Sequence, residues 1–181
     1  TRSDLEQVAV KPIVANLSAS SINGPASANP GKTQQWLVNV FNHDRNRNPV
    51  DIALDAQAII QIPQIVANGE ERYLTLLSVD TAGGSIVRNY ANNGQVESIV
   101  ISWPSGILPQ QSKPVQLSLG VPLGVRNNTN IQISANLTAD DNFNCVQAVG
   151  NPSLETVITS TPALEVRKDV DLTVVAPGTS Y

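Results

Sequence analysis

The densest run of chemically capable side chains is 138-TADDNFNC-145. Asp140, Asp141, Asn142 and Asn144 gather carboxylate and amide oxygens in one short stretch, and clustered oxygens on a loop are the donor set that calcium takes. The run lacks the glycine and the distal glutamate of an EF-hand loop. The same residues equally make an Asx-rich turn whose side chains bond the local backbone. Calcium at this loop is the one metal the sequence raises; otherwise no cofactor is expected.

Cys145 closes the run and is the only cysteine, so no disulfide can form within the chain. A thiol packed as a small apolar side chain is expected. The only histidine, His43, stands beside Asp44 in the turn 42-NHDRNRNP-49, where a solvated ring is expected. No G-x-S-x-G motif surrounds any serine, and one histidine with one cysteine is too few for a zinc set. The sequence therefore carries no catalytic constellation, and an enzyme is not expected.

Other side chains suggest modification or binding. Three N-x-S/T sequons, at Asn16, Asn127 and Asn136, are acceptors for glycans, whereas Asn151-Pro152-Ser153 is excluded by its proline. The lysines are Lys11, Lys32, Lys113 and Lys168. Lys168 interrupts an apolar face, which suits either an intramolecular isopeptide bond or a side chain that snorkels to water. Trp36, Trp103, Tyr73 and Tyr90 are a candidate sugar-stacking platform. Aromatic residues are only 4% of the chain, and the pattern around Trp36 reads as core.

The surroundings of these residues narrow the function classes. Of 181 residues only 14% are charged, well below the roughly 25% of typical soluble domains. The polar surface must come mainly from Asn, Ser, Thr and Gln, a composition common in extracellular β-proteins. The net charge of −4, with few scattered basic residues, offers no electrostatic footprint for nucleic acid. No stretch of about 18 apolar residues exists to cross a membrane as a helix, so no membrane insertion is expected. Methionine is absent, and the start at Thr1 is expected to be either a processed end or a chosen boundary.

The elements that must position these residues read as strands. Gly, Pro and Asn punctuate short runs of period-two alternation. In 33-TQQWLVNVFN-42, Trp36, Val38 and Val40 share one face. In 50-VDIALDAQAIIQI-62, Val50, Ile52, Leu54, Ala56 and Ala58 share a face opposite Asp51, Asp55 and Gln57. Further strands are expected at 72–79, 85–90, 96–103, 115–121, 130–137 and 154–160. Segments 62–72 and 138–153 read as loops, and 80–95 reads as a hairpin inserted between sandwich strands.

Both ends carry strand patterns of their own. Near the start, Val8 and Val10 alternate with polar residues before Pro12, as on an edge strand. Near the end, Leu164, Val166, Val170, Leu172 and Val174 alternate with Glu165, Arg167, Asp169, Asp171 and Thr173. From 164 to 175 this stripe would extend about 40 Å, against roughly 17–20 Å for an ordinary strand. Val170, Leu172 and Val174 are therefore expected to complete another body, because an unpartnered apolar edge invites aggregation.

Two Pro-Gly turns lead toward aromatics, in "NPGKTQQW" and "APGTSY". The segments "LEVRKDVDLTVVAPGTSY" and "PGKTQQWLVNVFN", with Val38, Val40 and Asn42, together with "ISWPSGILPQQSKPVQLSLGV", resemble the Ig-like tandem repeat of bacterial and archaeal surface proteins known as domain of unknown function eleven. Residues 62–97 fall outside that pattern. The resemblance implies a structural or adhesive role outside the cell.

The expectation is thus an all-β, Ig-like antiparallel β-sandwich over 16–167, with an N-terminal strand extension at 1–15 and a C-terminal one at 168–181. Its expected role is that of a structural subunit of an extracellular or cell-surface fibre. Copies of the chain would join head-to-tail by strand complementation through Val170, Leu172 and Val174, or through Val8 and Val10. The alternatives are one repeat of a large cell-surface adhesin, and a carbohydrate-binding module.

Overall fold

Period-two alternation carries almost every long element of the chain. The computed structural model describes residues 15–43, 52–140 and 147–160. Within them lie β1 (Ser21–Asn23), β2 (Ser27–Ala28), β3 (Thr33–Phe41), β4 (Leu54–Gln61), β5 (Gln64–Ala67), β6 (Glu70–Tyr73), β7 (Thr75–Asp80), β8 (Ser85–Tyr90), β9 (Val96–Trp103), β10 (Ser112–Gly120), β11 (Asn130–Asp140), β12 (Gln147–Gly150) and β13 (Ser153–Ile158). No helix occurs among the described residues.

The strands form two facing sheets and a separate hairpin. One sheet runs β1-β3-β10-β7; the other runs β2-β13-β11-β4-β9-β8, with β12 also paired to β11. The first is the A-B-E-D order of an immunoglobulin sandwich, and β13-β11-β4 supplies its G-F-C order. The first strand is split between the sheets. β1 lies antiparallel to β3, and β2 lies parallel to β13. Two additions distinguish this chain: the β5–β6 hairpin between C and D, and the β8–β9 hairpin laid beside C between D and E.

The core fills the space between the sheets. Trp36, Val38 and Val40 of β3 and Val115, Leu117 and Leu119 of β10 face Ala56, Ala58 and Ile60 of β4, Ile99, Ile101 and Trp103 of β9, and Ile131, Ile133, Ala135 and Leu137 of β11; all are buried. Burying a side chain of Leu or Ile size contributes about 1.5–3 kcal/mol. The switch of the first strand between sheets passes over the Trp36 indole. A Cβ on Gly24 would lie 2.2 Å from Trp36 Cδ1, so only glycine fits there. Trp36 Nε1 donates to Thr156 Oγ1 (3.3 Å), and Thr156 Oγ1 donates to the Pro25 carbonyl (2.9 Å). One buried threonine thereby joins core, last strand and switch segment.

The structure corrects several boundaries. The strand expected from residue 50 starts at Leu54, and its inward face is Ala56, Ala58 and Ile60. Before it, Ala53 rather than Ile52 is buried, bridged to Ile107. The parity changes at a bulge: Asp55 has φ 45°, and two residues of β4 oppose one of β11 there. The single strand expected over 72–79 is two. β6 ends at Tyr73, buried Leu74 turns the chain, and β7 joins the other sheet. Segment 62–72 is the β5–β6 hairpin rather than a loop, turning on Asn68 (φ 54°) and Gly69 (φ 83°), the Asn-Gly signature of a type I′ turn. Within 138–153, β11 continues to Asp140 and β12 adds a short strand. The expected terminal strand extensions lie outside the described residues.

Candidate functional site

The placement of the two ends of the described sandwich follows from its register. At one pole Asn42, at the end of β3, is fully buried. Its Oδ1 accepts from the Asn16 backbone N–H (3.1 Å), and its Nδ2 donates to the Ile107 carbonyl (3.0 Å). The Asn42 carbonyl accepts from Gln110 N–H, and the Asn16 carbonyl accepts from His43 N–H. At the other pole Thr159 N–H donates to Ala28 (2.9 Å), and Ser160 N–H donates to Asn127 Oδ1 (3.0 Å). β3 runs between these poles, from Thr33 near the Ala28 turn to Phe41 beside Asn42. Ala15 and Ser160, the first and last described residues, thus lie at opposite ends of the sandwich, about 25 Å apart along the strand direction.

Among the described residues, one lateral side of the sandwich is open. β7 and β8 are the last strands of their respective sheets and are joined through Thr81–Gly84. Trp103 Nε1 donates to the Thr81 carbonyl (3.0 Å) and fixes that corner. Leu77, Val87 and Tyr90 on these strands are more than half exposed. An uncovered strand edge is a template for another strand. The opposite side ends in β1, of three residues, β2, of two, and β12, of four, each shorter than β7 or β8. The outer face of the larger sheet carries the rows Asn136-Ile59-Val100-Val87, Thr138-Gln57-Ser102-Ser85 and Ser134-Gln61-Ser98-Asn89. None of these side chains is charged. Surfaces of this kind account for the low overall charge.

The structure places the remaining candidate residues as follows. Val8, Val10, Val170, Leu172 and Val174 lie outside the described residues, as do Lys11, Lys168 and Cys145. Of the calcium candidates only Asp140 is described, exposed at the end of β11; Asp141, Asn142 and Asn144 are outside. Among the described residues no group of three or more His, Cys, Asp or Glu side chains converges. The three sequon asparagines are all exposed. Asn136 lies mid-strand on the outer face of β11. Asn16 Oδ1 accepts from both the N–H and the Oγ of Ser18. His43, expected in solvent, is half-buried with its ring 5.5 Å from that of Phe41. Trp36 and Trp103 are buried and form no sugar platform.

Tyr73 and Tyr90, however, line one cleft of about 370 Å³ together with Gln64, Asn92, Asn93 and Glu97. The cleft lies between the β5–β6 hairpin and the 91–95 turn of the β8–β9 hairpin. Gln95 joins the two walls: its Oε1 accepts from the Tyr73 backbone N–H (3.2 Å) and from Asn93 Nδ2 (2.9 Å). Asn93 Oδ1 in turn accepts from the Gln95 N–H (3.0 Å), and the Ala91 N–H donates to the Gln95 carbonyl (2.8 Å). An adjoining cavity of about 410 Å³ is lined by Glu70, Glu71, Arg72, Asn93 and Gln95. Arg72 pairs with Glu70 there, and Gln64 Nε2 donates to Glu71 Oε2 (3.3 Å).

No family model and no curated protein matches the chain. Solved structures do. An uncharacterized protein from Nocardia farcinica, described as revealing an immunoglobulin-like fold, aligns at 11% identity over 81% of this chain and 99% of its own, with a TM-score of 0.49. BcpA, the major pilin subunit of Bacillus cereus, aligns at 14% identity over 78% of this chain and 39% of its own, with a TM-score of 0.48. AggA, the major subunit of aggregative adherence fimbriae type I from Escherichia coli, aligns at 13% over 78% and 94%, with a TM-score of 0.47. Likenesses this remote transfer no function. The fold assignment rests on the strand order above.

Proposed function

We propose that this domain is a non-catalytic link in an extracellular or cell-surface fibre, joined head-to-tail to further copies of the same chain. The observation that carries the reading is that the first and last described residues of the sandwich lie at opposite poles. A unit threaded in this way hands its flanking strand to a neighbour along the fibre axis, and such a contact propagates instead of closing. The alternating segments at Val8 and Val10 and at Val170, Leu172 and Val174 supply the strand. Backbone pairing to an open edge gives the affinity, and the alternate apolar side chains give the register. The uncovered β7 and β8 edges are the longest acceptors on the described sandwich. The name of a pilin or a fimbrial subunit among its structural likenesses agrees with this role but does not carry it.

The same opposite-pole threading also suits covalent concatenation, in which the domain is one repeat of a large adhesin. Light scattering at high concentration separates the two. Filaments that disappear on deleting residues 1–14 or 161–181 support strand exchange. A monomer that stays monomeric with both segments intact supports the repeat.

A further inference from the structure

We infer that the cleft between the β5–β6 hairpin and the 91–95 turn is a binding site for a neutral saccharide. The inference is independent of how the units assemble, because every residue of the cleft belongs to one sandwich. Three observations carry it.

The first is the pair of tyrosines. Tyr73 and Tyr90 both line the cleft, and Tyr90 is 60% exposed although it ends a strand whose sheet has a full core to bury it. An aromatic ring held open beside polar groups offers an apolar face and a hydroxyl at once. The C–H face of a pyranose ring is complementary to the first, and its hydroxyls to the second.

The second is the polar set. Gln64, Asn92, Asn93 and Glu97 share the cleft with the tyrosines. Amides and carboxylates present a donor and an acceptor, or two acceptors, in one plane. Adjacent ring hydroxyls, each donor and acceptor, match that geometry.

The third is construction and charge. One hydrogen bond, from Tyr73 N–H to Gln95 Oε1, joins the two walls, and three more, among Ala91, Asn93 and Gln95, brace the 91–95 turn. The walls are thus fixed before any ligand arrives, which lowers the ordering cost of binding. Around the cleft and its neighbour lie Glu70, Glu71 and Glu97 against the single base Arg72, which is already paired with Glu70. That balance repels uronic and sialic acids and leaves neutral sugars as the fitting class.

The test is a titration of the isotope-labelled chain with glucose, galactose, mannose, N-acetylglucosamine and their β-linked dimers, followed by amide shifts. The parallel arm uses glucuronic and sialic acid. At least one neutral sugar is expected to bind with millimolar or tighter affinity and to shift amides in 90–97 and 70–73. Tyr90→Ala should weaken that binding about tenfold, and Tyr90→Phe, which keeps the ring, should weaken it far less. Tyr90 is exposed, so the alanine variant retains the fold, which its unshifted core amides verify. Absence of shifts with every neutral sugar overturns the inference. So does equal binding by Tyr90→Ala, or preferential binding of the acidic sugars.

Discussion

Asn42→Ala is the substitution that bears most directly on how the sandwich holds its incoming segment. The Asn42 side chain is fully buried and bonds Asn16 N–H at 3.1 Å and the Ile107 carbonyl at 3.0 Å. Each such bond has a net worth of about 1 kcal/mol, and a partner left buried and unsatisfied adds about 1–3 kcal/mol. The Ile107 carbonyl keeps the bond it accepts from Ala53 N–H (3.0 Å), so the group stranded by the substitution is the part-buried Asn16 N–H. The expected loss is about 2–4 kcal/mol, or a Tm lower by roughly 10 °C for a domain of this size. Urea unfolding read by tryptophan emission measures it, since Trp36 and Trp103 are both buried and report global unfolding. Asn39→Ala is the control, being three residues earlier on the same strand with its side chain on the outer face. It should change stability by less than about 0.5 kcal/mol. Hydrogen exchange adds a local reading: the Asn16 amide should lose protection beyond the global change. Equal stabilities for the two variants would refute the claim that Asn42 pins the pole.

Two further substitutions probe the core and the open corner. Thr156→Val keeps the volume but strands Trp36 Nε1–H and the Pro25 carbonyl, and should cost about 1–3 kcal/mol in the same urea assay; an unchanged midpoint would show that the threonine only fills space. Gly84→Ala places a Cβ 2.6 Å from Trp103 Nε1 and 2.7 Å from Ile101 Cγ2, and overpacking of this kind should cost about 1–3 kcal/mol. Gly120→Ala, whose nearest new contact is 3.6 Å, should stay within about 0.5 kcal/mol; calorimetry of both variants decides whether the corner is as tight as described.

The sandwich was legible wherever one face is buried and the other wet. Trp36, Val38 and Val40, and likewise Ile131, Ile133 and Ala135, announced their faces by alternation alone. The reading failed where a local backbone event overrides the pattern. At Asp55 the alternation runs through a bulge, and nothing in the side-chain types marks the extra residue. At Leu74 an unbroken run of strand-forming residues changes sheet, and the signal is tertiary: β7 is claimed by β10. Periodicity does not announce the β5–β6 hairpin, although Asn68-Gly69 marks its turn, because the flanking Glu70, Glu71 and Arg72 lack an apolar rhythm. Those residues are wet on both faces, and the hairpin is held mainly by its turn and by Ile65 and Ala67. Candidate sites were harder still. The tryptophans, the obvious sugar-stacking candidates, are core. The two tyrosines meet only because the β8–β9 hairpin folds beside β4 and brings its turn against β6, a juxtaposition across 17 positions that no motif encodes. Asn42 stood in the strand pattern, but its burial and partners follow from the pole it occupies.

Negative-stain electron microscopy of the purified chain, beside variants lacking residues 1–14 or 161–181, tests the head-to-tail account most directly. The account predicts filaments from the intact chain, with an axial repeat of the order of one sandwich length, and their loss in at least one deletion whose sandwich stays folded by circular dichroism. Filaments that persist unchanged in both deletions, or an intact chain that stays monomeric at every concentration, would contradict it.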